Sequence, residues 1–168
     1  MDIASFYQQS HPLMQAVNEF AVRHAVGPLG VADHLCFKCA SSEEYERMRA
    51  LLEPEAHFVY QSYIGKRRIA ILKFRTLQFD TSFGSIRTLE LSDQKPDQSQ
   101  KSGFDHVEIY PVSGSYEDLV HALHECGAVF EETHRPHHTT HDLKLPGRFT
   151  LKLTREPLLD KIKRDEMI

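Results

Sequence analysis

The sequence predicts an α+β protein made of two pseudo-symmetric β-α-β-β-β modules, whose eight strands form one cupped, mixed sheet with extra helices at the N- and C-termini. Three observations carry that expectation. A pair of short motifs recurs in the same order at one constant offset. After each copy, the same succession of helical and extended segments follows. Within the extended segments, apolar residues alternate so that one face of each strand is oily and the other is not.

The chain has 168 residues, a little over one domain at about 150 residues each, so one compact unit is the starting point and two half-size lobes the alternative. It divides into an N-terminal helical segment, 1–30, a two-module domain, 31–157, with modules 31–92 and 104–157, and a C-terminal helical tail, 158–168. Phe6, Leu13, Val17, Phe20 and Ala21 recur at helical spacings, and the run Gly27-Pro28-Leu29-Gly30 stops the pattern. One amphipathic helix is therefore expected there.

The first module opens on Ala32-Asp33-His34-Leu35-Cys36-Phe37, and the second on Phe104-Asp105-His106-Val107-Glu108-Ile109. Both read Asp-His-apolar-x-apolar. At the same offset Ser41 falls on Ser113, Met48 on Val120, and Ala50-Leu51 on Ala122-Leu123. Each of these segments reads as a helix with a serine cap and acidic residues in its first turn, which satisfy the free N–H groups and suit the helix dipole. Three strand-like segments follow in each half: HFVYQSYI, RRIAILKF and SIRTLEL, then GAVFEET, THDLKL and RFTLKLT. The ordered recurrence disfavours coincidence. Between the halves, SDQKPDQSQKSG has no apolar side chain and reads as a connector, and EPLLDKIKRDEMI at the end reads as a short docking helix.

Alternation places Leu35 and Phe37 on one face of the first strand and His34, Cys36 and Lys38 on the other. In the second copy Val107 and Ile109 oppose His106, Glu108 and Tyr110. The closing strands set Leu89 and Leu91 against Glu90, and Leu151 and Leu153 against Lys152. The apolar faces must lie under the helices. A solvated outer face is the ordinary fate of polar strand residues, but histidine at two repeated positions, with glutamate at a third, is the donor set of a borderline divalent cation.

These paired modules, each opened by a strand-borne histidine, resemble the vicinal-oxygen-chelate superfamily of glyoxalases, extradiol dioxygenases and bleomycin-resistance proteins. ADHLCF, ILKF, LEL and FDHVEIY look closest to the YecM-like bacterial proteins. The resemblance spans 31–157, which it makes a glyoxalase-like domain, and it implies metal ligands at His34, Glu90 and His106, with a fourth place on the last strand. Lys152 stands there. An ammonium cannot ligate a cation, so three arrangements stay open, in this order: water completes the shell, Glu108 takes the vacancy, or no metal binds and Lys152 pairs with Glu90. Loss of the fourth carboxylate argues against glyoxalase activity itself. What the resemblance still implies is a divalent ion, Zn, Ni, Fe or Mn, chelating a small oxygen-rich substrate, with Glu108 and Lys152 as catalytic candidates and Lys152 facing an anionic group. The alternatives are a non-catalytic module binding a metal or small ligand in the same cup, and a remnant fold serving in protein interactions.

A net charge of -4 is the wrong sign for phosphate neutralisation, so a nucleic-acid partner is not expected. With no apolar span and no signal-like start, neither is a membrane, and the expected location is cytoplasmic. The resemblance leaves a homodimer open, although two modules could close one cup alone. Three cysteines are expected as free thiols. Cys36 and Cys39 are three apart on a strand and so face opposite ways, which makes their CxxC spacing fortuitous. His121 and His124 read as surface residues. The cluster His134, His137, His138 and His141 reads first as solvated, with His138 or His141 as an auxiliary ligand in second place.

Overall fold

The computed structural model describes residues 1–135 and 138–166; nothing is described of the side chains of Arg135 and His138. Residues with α-helical periodicity form α1 (Ile3–Gln9), α2 (His11–Arg23), α3 (Ser42–Leu52), α4 (Tyr116–Glu125) and α5 (Leu158–Glu166). The strands are β1 (Gly30–Lys38), β2 (Ala56–Ile64), β3 (Arg67–Phe74), β4 (Phe79–Thr81), β5 (Gly84–Ile86), β6 (Thr88–Ser92), β7 (Gly103–Pro111), β8 (Phe130–Arg135), β9 (His138–Lys144) and β10 (Thr150–Leu153).

Eight strands form one mixed sheet in the order β2-β3-β6-β1-β7-β10-β9-β8. The two halves read identically outward from the centre: β1, β6, β3, β2 on one side and β7, β10, β9, β8 on the other. β1 and β7 meet antiparallel, while β1 with β6 and β7 with β10 run parallel. The opening strands of both modules, which carry the repeated histidines, are therefore neighbours at the centre of the sheet.

Helices α1 to α4 share one core with the odd-numbered β1 residues Leu35 and Phe37 and with Leu89, Leu91, Val107, Ile109, Leu151 and Leu153. Ser41 caps α3 by accepting from the Glu44 N–H at 3.1 Å. The helix of the second module is capped by Ser115 rather than Ser113, because Ser115 and Asp118 form a reciprocal box, with Asp118 N–H donating to Ser115 Oγ and Ser115 N–H to Asp118 Oδ2.

Two further expectations are corrected. The N-terminal stripe is two helices, broken at Ser10. Pro12 at the start of α2 has no N–H with which to continue the ladder, so the chain restarts from Ser10, whose carbonyl accepts from Met14. The segment SIRTLEL is not one strand. Its first residues belong to the small β4–β5 hairpin, an insertion peculiar to the first half, and only Thr88–Ser92 enters the main sheet. The polar segment between β6 and β7 is the expected connector, and it is anchored to the sheet. Gln94 and Gln100 are buried, and Gln100 Nε2 donates to the carbonyls of Cys39, Ser92 and Asp93 at 2.8, 3.1 and 2.9 Å. Its amide side chains satisfy the backbone at the ends of β1 and β6.

The C-terminal helix packs on the opposite face of the sheet from the other four. Leu158, Leu159 and Ile162 of α5 cluster with Ile69 and Ile71 of β3, while the intervening Ala70 and Leu72 belong to the main core. β3 is thus buried on both sides.

Candidate metal centre

The polar face of the central strands brings His34, Glu90 and His106 together from β1, β6 and β7. One donor atom from each lies within 4.8 Å of the others. Register explains the convergence: Cys36 is opposite Glu90 on β6 and opposite His106 on β7, so both flank the same point of β1, and His34 is two residues further along on the same face, opposite Glu108. His34 Nε2 is 3.6 Å from Glu90 Oε2, and the two imidazole centroids are 6.0 Å apart.

Each ring is held by its neighbour in sequence. His34 Nδ1 is 2.7 Å from Asp33 Oδ2, and His106 Nδ1 is 2.7 Å from Asp105 Oδ2. An ionised carboxylate only accepts, so in both cases Nδ1–H donates and Nε2 is turned toward the cluster. Adjacent strand residues normally point to opposite faces. Here each aspartate is the additional residue of a β-bulge: Ala32 and His34 pair with the consecutive Ile109 and Glu108, leaving Asp33 over, and Cys36 and Phe37 pair with His106 and Phe104, leaving Asp105 over. A bulge re-aims a side chain and lets the aspartate reach the ring beside it. The repeated Asp-His dipeptide carried this signal, but an alternation argument has no place for a bulge, and so the aspartates go unassigned in the sequence.

Both Nε2 atoms are buried without a hydrogen-bond partner. Buried polar atoms are rarely left so, and two of them facing one carboxylate fit a cation that is coordinated through Nε2. Aspartates behind histidine ligands fix the tautomer such coordination requires. The electrostatics agree. Burial works against charging His34, but Glu108, Asp33 and Glu90 outweigh it and push the imidazole up to about 10. Burial and Lys152 push His106 down. Glu90 is held below the usual carboxylate range, against its burial, by His34, His106 and Lys152. A proton on His34 and a metal ion at its Nε2 are alternative answers to the same negative field.

Glu108 and Lys152 lie opposite each other in the β7–β10 register, on this face. Glu108 Oε1 is 3.9 Å from both His34 Nε2 and His106 Nε2. Lys152 is 8% exposed and makes no ion pair with a described residue, so no Lys152–Glu90 pair of contact length exists among them. Cys36 donates its thiol to Glu90 Oε1 at 3.5 Å, whereas Cys39 lies in the helical core. The two thiols face opposite ways, and all three cysteines are free.

His141 faces away from the centre. It pairs with Leu153 in the β9–β10 register and meets Tyr116 of α4, the hydroxyl 2.6 Å from Nδ1. It is therefore no auxiliary ligand. His137 and the side chain of His138 lie outside the described residues. His121 and His124 are exposed on α4, and His134 is exposed beside Glu132. Arg68, at the start of β3, is engaged by Asp93 and Glu46.

Two β-α-β-β-β modules joined through their opening strands, with a histidine of each aimed at a shared acidic partner, define a protein of the vicinal-oxygen-chelate fold. The YecM protein family model matches residues 5–154. The chain belongs to the YecM family. Among solved structures, one described as "Structural Genomics, Protein EC4020" is similar at TM-score 0.72 and 18% identity, covering 98% of this chain and 92% of that one. Two methylmalonyl-CoA epimerases are similar at lower scores. A selenomethionine form gives TM-score 0.49 at 11% identity over 77% of this chain and 97% of its own. The Mycobacterium tuberculosis enzyme gives 0.48 at 13% identity over 83% and 99%. At 18% identity the likeness to the first of these is one of fold. No curated protein matches the chain. Among the described residues no helix is long and apolar enough to cross a membrane.

Proposed function

We propose that the chain is a metal-dependent enzyme that binds a divalent ion, Zn, Ni, Fe or Mn, through His34 Nε2, Glu90 and His106 Nε2, and acts on a small, oxygen-rich, anionic substrate. The observation that carries this reading is the pair of unpartnered, buried Nε2 atoms, each backed by its own aspartate. Two histidines and one carboxylate leave coordination positions for water and substrate oxygens. A bound ion would supply Lewis-acid polarisation of those oxygens.

The protein's own groups supply the rest. Glu108 Oε1 stands beside both imidazoles without a hydrogen bond from another described residue, and it serves as the carboxylate that takes up and returns a substrate proton. Lys152 faces the acidic centre from β10 and holds an anionic substrate group by charge. Thr140, Asp142 and Thr150, all buried on this same half of the sheet, make its floor polar. The first half of the sheet offers no such floor, since α5 covers Ile69 and Ile71 there.

Elemental analysis of the purified full-length protein tests the reading. One divalent ion per chain is expected, lost in His34→Ala and in Glu90→Ala; absence of metal under replete conditions would overturn it. Turnover is then sought in the metal-loaded protein with 2-oxoaldehyde, catechol and epoxide substrates, and Glu108→Gln is expected to abolish it without releasing the ion. Failure of the loaded protein on all of these would favour a ligand-binding module.

A further inference from the structure

The chemistry proposed above leaves the C-terminal helix without a role. α5 lays Leu158, Leu159 and Ile162 against Ile69 and Ile71, and Ile71 is the register partner of Glu90. The helix therefore lies on the face that carries the metal centre. At its far end Glu166 accepts hydrogen bonds from the hydroxyls of Tyr60 and Ser62. At its near end it touches the site. The Leu158 N–H donates to Asp33 Oδ2 at 2.9 Å, and that same oxygen accepts from His34 Nδ1 at 2.7 Å.

The pseudo-symmetric position is built differently. Asp105 accepts from His106 through Oδ2, and its other oxygen meets Lys38 Nζ at 2.6 Å. A lysine on a neighbouring strand thus does for the second half what the start of a helix does for the first. The duplication is broken where a helix start, and not a lysine, meets the carboxylate behind a candidate ligand.

We propose that Asp33 is a positioning residue that couples docking of α5 to metal occupancy, so that the helix closes over the first half of the cup when the ion is bound. This rests on the metal-binding reading. The docked helix presents its positive end and a backbone donor to Asp33, which fixes the carboxylate and with it the ring of His34. A ligand held in place before the ion arrives loses less freedom on binding it. Coupling of this kind is reciprocal: whatever factor the docked helix adds to metal affinity, the metal must add to docking.

Hydrogen–deuterium exchange on the full-length protein, with and without saturating zinc and with zinc content measured on the same samples, tests the link. Amides of 158–166 are expected to exchange about 5-fold or more slowly when zinc is bound. That difference should persist in zinc-saturated Asp105→Ala and vanish in Asp33→Ala. In a companion variant, Ile162→Glu, loss of the apolar contact should weaken zinc affinity by a similar factor with the circular dichroism of the sheet retained. Stoichiometric zinc with unchanged exchange in α5 would overturn the coupling and leave the metal centre standing. Absence of zinc binding would overturn both. Equal loss of the effect in the two aspartate variants would remove the special role of Asp33.

Discussion

A histidine coordinates a cation through one ring nitrogen, and what grips the other decides which nitrogen is free. In this chain that grip comes from the preceding residue in both modules, through a bulge that turns Asp33 and Asp105 onto the face of the histidine each precedes. Asp105→Ala is expected to lower zinc affinity by about 10- to 100-fold in competition with a chromophoric chelator, with unit stoichiometry kept at saturation. Unchanged affinity would mean that Asp105 does not orient the ring. Lys152 stands buried opposite Glu108, placed to act by charge. With oxalate as a small dianionic probe of the zinc-loaded protein, Lys152→Ala should weaken binding by roughly tenfold or more, the worth of one charge-assisted hydrogen bond. Equal affinities in calorimetry would remove Lys152 from the site. The histidines and Glu90 were legible in the sequence because the repeat and the two-residue period aim them alike. The aspartates were visible but silent, since their role depends on a departure from that period.

At the scale of elements, packing decides where local pattern leaves a choice. The apolar stripe of the first helical segment continues through Ser10, but Pro12 interrupts the backbone ladder and two helices result. The β4–β5 hairpin, short enough to escape a strand count, is pinned by side chain and backbone: Asn18 of α2 accepts from the Ser82 N–H at 2.8 Å, and Gly27 passes so near the turn that a Cβ there would lie 2.6 Å from the Ser82 carbonyl oxygen. Gly27→Ala must move one backbone or the other. The expected cost is about 1–3 kcal/mol in urea unfolding, and a change within error would show that the hairpin yields freely. RRIAILKF held a clue to the C-terminal helix as well. Ile69, Ala70, Ile71 and Leu72 are apolar in succession, which is how a strand covered on both faces reads.

For the molecule as a whole, a ligand that binds only the folded state stabilises it. Four carboxylates, Asp33, Glu90, Asp105 and Glu108, surround two imidazoles in the middle of the sheet, and a cation held there would join both modules. Zinc at 100 times its dissociation constant should add about 2.7 kcal/mol. For a chain of this size that is a rise of roughly 5–10 °C in midpoint, read by calorimetry, abolished by a chelator and absent in Glu90→Ala. No shift in the wild type would mean that the metal does not bridge the halves.

The order of segments, the duplication, the oily face of each strand and the identity of the ligand candidates were set by local sequence alone, because periodicity and turn chemistry act within a few residues. Which strand of one module meets which of the other, the two bulges, and the covering of the first half by α5 were decided by tertiary structure. Those features depend on contacts between residues as distant as Asp33 and Leu158, and it is burial of whole faces, not any local preference, that selects among them.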